Sequence, residues 1–335
     1  AWFFDRRLPG DDNGAWHSSD LWYWFGTLEN CWRPFEEKDY YLSDKITDYL
    51  CNFAKTGNPN GDGLVEWKPT KTQEDTVLCW GEGDIRMDSV DMEKLEGMVP
   101  VPENDIPVRW DNHAAEVAHC LRKAGIANSW TWLPIKIGYG KYDEGVALFS
   151  LKGKIAQVDS FRISSSCQYH NWKTRKVLGV RIEGRNDWFY TVHMGWWGDE
   201  EEPFLMQWGR LNTRLSEKKE LAPVWLLGDF NSPAEVRGEG YDCIRSFGWQ
   251  DTYLLAREKD SGITVEGAID GWRDKLDDPS SVTGMRIDHI WCSHPVSVLR
   301  SSVRFNGKKD LQVSDHYGVL IETYEDAKSR EEDAL

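Results

Sequence analysis

The sequence predicts an α/β fold for residues 101–335, preceded by a loop-rich segment over residues 1–100. Two observations predict the α/β class. An apolar helical pattern spans residues 112–124, and short apolar runs bounded by Gly, Asp, Asn or Ser follow it at intervals. These runs are typical of buried strands, and polar residues that can do chemistry stand at their ends. The predicted strands are residues 146–149, 177–182, 188–193, 224–227, 287–291 and 319–323.

The first hundred residues are dense in tryptophan and show one helical pattern, at residues 36–55, which the run Asn58-Pro59-Asn60-Gly61-Asp62-Gly63 ends. A short strand is predicted at residues 76–80. Residues 97–102 contain two prolines and no periodic pattern, so we place the junction there. The segment does not show enough regular elements to predict a self-sufficient domain.

The composition narrows the class of function. The net charge of −16 is spread along the 335 residues, which argues against binding a nucleic-acid backbone and favours a small phosphorylated substrate. The seven cysteines are widely spaced without a CxxC pair, which is typical of reduced thiols in the cytoplasm. No apolar run is long enough to predict a membrane span.

The clearest motif is Gly228-Asp229-Phe230-Asn231, which directly follows the apolar run 224–227. In an extended chain the side chains of Asp229 and Asn231 leave on the same face. Phosphate ester hydrolysis needs such a pair, a carboxylate that orients water or binds metal and an amide that donates to a phosphoryl oxygen. The same four residues are equally typical of an Asx turn that closes a strand.

Three other strand ends carry polar residues that agree with this chemistry. His193 ends one alternating run and is placed to protonate a leaving alkoxide. Asp288 lies in a second run, and the dipeptide Asp315-His316 precedes the last one. Because adjacent strand residues face opposite ways, we expect Asp315 to bind a metal and His316 to contact phosphate, with Asp288 behind it.

These four segments, in this order, resemble the endonuclease/exonuclease/phosphatase superfamily. The resemblance covers residues 103–325 and implies a two-sheet, DNase I-like α/β sandwich with a divalent metal, Mg²⁺ or Mn²⁺. It implies that His193 is the general acid, that Asp229 activates water and that Asn231 stabilises the transition state. It also implies an Asp315 metal ligand and a His316–Asp288 pair. Tyr142-Asp143-Glu144 matches the Tyr-x-Glu spacing of DNase I-like enzymes, so Tyr142 would touch phosphate and Glu144 orient His193, with Tyr139 an equally available phenol.

Several shorter stretches of the sequence resemble bacterial proteins similar to maltose 6'-phosphate phosphatase. This resemblance implies a small phosphorylated sugar as substrate. The residues that carry it include 137–145, 193–197, 237–242 and 248–253. The superfamily's first strand and its Gln-Glu strand, which supplies a metal-binding glutamate, are not recognisable upstream of Glu103. We therefore expect an incomplete sandwich with weak or absent activity.

Residues 2–90 resemble the C-terminal region of type-B carboxylesterases, which are α/β-hydrolases, through residues 14–27 and 54–61. The resemblance implies that His17 corresponds to the triad histidine. A histidine cannot hydrolyse an ester without its serine, and no Gly-x-Ser-x-Gly elbow is present, so His17 is an orphan. Three hypotheses remain: a metal-dependent phosphoesterase truncated at its start, a carboxylesterase-derived tail, or an inactive fusion of two gene fragments.

Overall fold

The protein is described from a computed structural model. The structure describes residues 2–4, 6–10, 18–69, 76–81, 84–89, 92–102, 104, 106, 108, 111–139, 142–267, 283–308 and 310–324. The chain divides into two compact units, Ala1–Glu96 and Gly97–Leu335. In these residues no helix combines the length and apolar character that crossing a membrane requires. His17 and Glu103 lie outside the described residues. All seven cysteines are free.

The first unit has a small sheet and one long helix around an aromatic core. Strand β2 pairs in parallel with β1 and antiparallel with β3. The long helix buries Leu42, Ile46 and Tyr49 on one face, and it ends at Gly57, whose φ of 76° is the left-handed conformation that glycine adopts without strain. The elements are β1 (Trp2–Phe4), α1 (Leu21–Trp24), 3₁₀ helix Leu28–Asn30, α2 (Glu37–Thr56), β2 (Thr76–Trp80), β3 (Ile85–Ser89) and 3₁₀ helix Met92–Leu95.

The second unit alternates strands with three longer helices. Its helices are α3 (His113–Lys123), α4 (Phe204–Leu221), α5 (Gly240–Ser246) and the single turn α6 (Thr252–Leu255). Its strands are β4 (Ser129–Gly138), β5 (Tyr142–Ser150), β6 (Ile155–Arg162), β7 (Lys176–Ile182), β8 (Trp188–His193), β9 (Val224–Asp229), β10 (Gln250–Asp251), β11 (Glu258–Lys259), β12 (Val265–Glu266), β13 (Gly284–Met285), β14 (Asp288–Cys292), β15 (Val298–Arg304) and β16 (Gly318–Thr323).

The centre of this unit is a six-stranded sheet in the order β10-β14-β9-β8-β7-β6. Strands β8 and β9 are parallel, and the other neighbours are antiparallel. One face packs on α4 and α5 through Tyr190, Leu226 and Trp291, which meet Trp208 and Ile244 in one core cluster. This face is therefore closed by helices.

The opposite face of the six-stranded sheet is covered by strands. Hairpin β4–β5 packs on β7 through Leu133 and Leu178, and β16 packs over β14 and β9 through Ile321, which meets Ile290 and Trp225. The architecture is the predicted two-sheet α/β sandwich. In the described part of the chain the second layer consists of two separate pieces, β4–β5 and β11-β15-β16.

Most predicted elements are present, and two of the missed elements were missed for different reasons. The helices predicted at 36–55 and 112–124 and the strand predicted at 76–80 are found within one residue of each boundary. Strand β4 escaped prediction because nine of its ten residues are buried, so both faces are covered and no alternation remains. Helix α4 escaped because its apolar residues are interrupted by many charged ones, and its buried stripe is recognisable only against the sheet.

Candidate active site

Three of the predicted site residues lie side by side at the ends of neighbouring inner strands of the six-stranded sheet. Asp229 ends β9 and is the register partner of His193, which ends β8, and of Asp288, which begins β14. Register partners project on the same face of a sheet. This face also carries Phe189, Trp225 and Ile290, so the three polar side chains face the second layer of the sandwich.

The site contains two carboxylate–imidazole pairs. His193 Nε2 lies 3.5 Å from Asp229 Oδ2, and His316 Nδ1 lies 3.0 Å from Asp288 Oδ2. His316 arrives from the bend before β16, so a segment far away in the chain completes the second pair. The two histidine side chains are 39% and 34% exposed, which leaves both imidazoles accessible to a ligand.

The loop after β9 is held by backbone conformations that few residues adopt. Gly228 has a φ of 138°, and a Cβ there would lie 2.1 Å from the Val192 carbonyl oxygen, so only glycine fits. Asn231 has a φ of 43° and its backbone N–H donates to Asp229 Oδ1 at 2.7 Å. The local turn thereby fixes the Asp229 carboxylate. Both the Asx-turn interpretation and the site interpretation of this motif describe the same geometry.

The Asn231 side chain is buried and bonded on both sides. Its Nδ2 donates to the Met194 carbonyl at 2.8 Å, and its Oδ1 accepts from Trp196 Nε1 at 3.0 Å. A side-chain amide has two N–H groups, and among the described residues only the Met194 carbonyl accepts from this one.

Burial and nearby charges give the ionisable side chains of the site different protonation states. Burial, and then the charge of Asp288, raise the pKa of Asp229 to about 7. The hydrogen bond with Asp288 raises the pKa of His316 to about 9. Partial burial and the nearby cations Arg175 and Lys136 lower the pKa of His193 below its usual value. At neutral pH, His316 is therefore the cationic imidazole and His193 is neutral.

Two buried cations that the sequence did not single out lie beside His193. Lys136 Nζ and Arg175 Nη1 each donate to the Trp172 carbonyl at 2.8 Å. Arg175 is only 6% exposed, and its Nε is buried without a hydrogen-bond partner in the described structure. A lone lysine within the apolar β4 sequence was the available signal for Lys136, whereas nothing in the sequence distinguishes Arg175 from a surface arginine.

The remaining predicted site residues lie around this cluster. Glu144 Oε1 lies 3.1 Å from Lys136 Nζ, so its carboxylate pairs with Lys136 while the His193 ring pairs with Asp229. Tyr142 begins β5 and is 53% exposed, against 87% for Tyr139. Asp315 is exposed, in the bend before β16, where Ser314 Oγ contacts its carboxylate at 3.1 Å.

The arrangement does not by itself make a divalent-cation site. Among the described residues, no three His, Cys, Asp or Glu side chains are grouped so as to hold a metal ion. Two carboxylates of the cluster, Asp229 and Asp288, are already paired with histidines, and Asp315 points from an exposed bend. The described residues therefore do not fit a complete metal site.

Comparison with known proteins agrees with this fold. The family described as "Endonuclease/Exonuclease/phosphatase family" matches residues 85–316, and the family described as "Carboxylesterase family" matches residues 3–94. An endonuclease/exonuclease/phosphatase family protein from Leptotrichia buccalis has a solved structure with 31% identity and a TM-score of 0.56; the match covers 67% of this chain and 83% of that one. A mannosyl-6-phosphatase from Bacteroides thetaiotaomicron has 18% identity and a TM-score of 0.44, over 67% of this chain and 98% of that one.

The N-terminal match is short. Human cocaine esterase is 48% identical over 44 residues, which are 13% of this chain and 8% of the esterase. The chain therefore spans less than a tenth of the length of the curated relative that it matches.

The fold and the strand-end site define a DNase I-like α/β sandwich. The chain belongs to the endonuclease/exonuclease/phosphatase family, on a family match over residues 85–316 and a 31% identical solved relative. The match begins at residue 85, so it overlaps the carboxylesterase match over ten residues, 85–94.

Proposed function

We propose that this protein is a cytoplasmic phosphoesterase that hydrolyses a small sugar-phosphate monoester by direct attack of water. The observation that carries the proposal is the contiguous row His193, Asp229 and Asp288, with His316 paired to Asp288. This row offers one carboxyl with a pKa near neutrality and one imidazolium, which are the base and the acid that ester hydrolysis needs.

The proton transfers follow from these protonation states. Water attacks phosphorus and gives its proton to ionised Asp229, while the bond between phosphorus and the sugar oxygen breaks. The leaving oxygen takes a proton from His316, so the products are the sugar and inorganic phosphate. His193 is neutral at this pH, and its Nε2 lies 3.5 Å from Asp229 Oδ2. The proposal therefore assigns proton donation to His316, whereas the family resemblance implied His193.

In this proposal, the phosphate group is bound by positively charged side chains in a partly buried site. Arg175 and Lys136 lie on the His193 side, and the cationic His316 lies on the Asp288 side. A phosphate dianion between them would be attracted from both sides, and charge-assisted hydrogen bonds to such groups are the strong ones. The available N–H of Asn231 is the remaining donor on this surface. The acidic surface elsewhere, with a net charge of −16, disfavours a nucleic-acid substrate.

The family resemblance implies Mg²⁺ or Mn²⁺, and we include in the proposal that hydrolysis requires one of these ions. Because the described residues do not complete a metal site, no step above is assigned to a metal. The carboxylesterase alternative lacks support from chemistry, since the chain contains no serine elbow and His17 lies outside the described residues.

The test is release of inorganic phosphate from a panel of hexose and disaccharide phosphates, with Mg²⁺, with Mn²⁺ and with EDTA. We expect release that is abolished in Asp229→Ala and in His316→Ala. The matched control is Glu217→Gln, which removes a carboxylate from the exposed face of α4 and should leave the rate unchanged.

Two results would overturn the proposal. One is no release by the wild-type protein from any substrate at any metal concentration, which would favour the inactive-fusion hypothesis. The other is release that survives in Asp229→Ala, which would place the chemistry elsewhere.

A further inference from the structure

Two exposed tryptophans form a pair directly beside the candidate active site. Trp172 is 50% exposed and Trp196 is 46% exposed, and their ring centroids are 5.7 Å apart at an angle of 56°. Large aromatic side chains normally bury most of their surface, so two half-exposed indoles in contact need a reason. Their neighbour Trp197 behaves differently, because it packs against Phe204 at the edge of the core.

The pair is connected to the catalytic row by hydrogen bonds. Trp196 Nε1 donates to Asn231 Oδ1 at 3.0 Å. Because the Asn231 backbone N–H donates to the Asp229 carboxylate, this indole contacts the turn that holds Asp229. The Trp172 carbonyl accepts from both Lys136 and Arg175, the cations beside His193. The two rings therefore border the site on the side where the proposed phosphate group would lie.

The two loops that carry the indoles are tied to each other. The buried Glu202 carboxylate accepts from the backbone N–H groups of Ser165 and Ser166 at 2.8 and 2.6 Å. Lys173 Nζ lies 2.9 Å from Asp199 Oδ2. These contacts fix the loop containing Trp172 against the loop containing Trp196, so the pair is held in place before a ligand binds. Preorganised aromatic surface is the kind that gains affinity at low entropic cost.

We propose that Trp172 and Trp196 form the binding platform for the ring of the substrate's leaving group, a pyranose. This inference rests on the proposed function and names the residues that select the substrate. The C–H face of a pyranose is apolar and covers an indole well, while its hydroxyl edge stays in water. An acyclic phosphate ester of the same charge offers no such face, so the platform distinguishes the two classes.

The experiment compares glucose 6-phosphate with glycerol 3-phosphate in kinetics and in calorimetric binding. We expect Trp172→Ala to raise KM and Kd for glucose 6-phosphate by about tenfold, with kcat little changed and with the glycerol 3-phosphate values within about twofold. Trp172→Phe should restore most of the loss because it keeps an aromatic face. The matched control is Trp32→Ala, which removes a 72% exposed indole from the first unit and should change neither substrate.

The outcomes separate this inference from the proposed function. Equal losses for both phosphates in Trp172→Ala overturn the platform, even if hydrolysis itself is observed. If the wild type hydrolyses neither of these two substrates, the panel of phosphates decides on the proposed function and calorimetry alone decides on the platform. In that case, binding of glucose 6-phosphate that weakens in Trp172→Ala supports the platform, and no detectable binding to the wild type overturns it.

Discussion

Asp229 and Asp288 are cross-strand register partners, and each carboxylate is paired with its own histidine. Like charges on adjacent strands oppose each other's ionisation, and here the carboxyl that lacks a cationic partner bears the effect. The Asp288 carboxylate is compensated by cationic His316, whereas Asp229 faces a neutral His193. Burial raises the pKa of Asp229, and the charge of Asp288 adds to this effect. Under the proposed function, Asp229 is therefore the proton acceptor.

The raised pKa of Asp229 predicts a cost to stability. The folded protein holds this proton up to a pH of about 7, whereas an ordinary carboxyl releases it near 3.8. The native state therefore binds more protons between these values, and its free energy of unfolding falls as the pH rises through them. Relative to wild type, Asp229→Asn should gain stability between pH 5 and pH 8 by on the order of 1 to 3 kcal/mol. Urea unfolding at the two pH values measures this, and an equal difference at both would contradict it.

The pairing of His316 with Asp288 predicts a titration that needs no substrate. In wild type the imidazole should titrate with a pKa of about 9, because its cation is bonded to the carboxylate. In Asp288→Asn that hydrogen-bonding charge is lost, and the midpoint should fall toward about 6.5. Histidine ring resonances followed by NMR in the presence of a chelator report it, with His316→Gln identifying the signal. A wild-type midpoint already near 6.5 would show that the pair does not form.

The buried Arg175 predicts a defect in phosphate binding even for a variant that keeps the positive charge. Its Nε has no partner in the described structure, and burial lowers its pKa below the usual value, so a bound anion would relieve both. Arg175→Lys keeps the charge without the planar donors, and should raise the inhibition constant of inorganic phosphate about tenfold or more. Arg210→Lys on α4, whose guanidinium donates to the Ile163 carbonyl, is the control. Equal inhibition of both variants would exclude Arg175 from phosphate binding.

The adjacent tryptophans Trp196 and Trp197 predict losses of stability of different size. Trp197 packs on Phe204 and the main core cluster, so Trp197→Ala should lower the free energy of unfolding by about 2 to 4 kcal/mol. Trp196 is half exposed, and Trp196→Ala should cost about 1 kcal/mol, mainly through the lost hydrogen bond to Asn231. Thermal unfolding of the two variants compares them directly. A larger loss in Trp196→Ala would mean that the indole is a packing residue rather than a binding surface.

The sequence by itself determined the strand ends and much of the site. The apolar run Val224–Leu227 is followed by Gly228, whose backbone conformation only glycine fits, and then by Asp229. Strand, turn and carboxylate are therefore all local. His193 and Asp288 follow from the same logic, because a strand's alternation and its end are encoded in neighbouring residues. The predicted family resemblance rested on the order of these motifs along the chain.

Only the tertiary structure decided which side chains meet and in what charge state. Lys136, Arg175 and the Trp172–Trp196 pair come from separate segments, and their positions depend on how hairpin β4–β5 and two loops pack on the sheet. The protonation states of His193 and His316 depend likewise on burial and on nearby charges. Sequence patterns record the period of a local element, whereas desolvation and charge pairing depend on neighbours that the chain brings together from far apart.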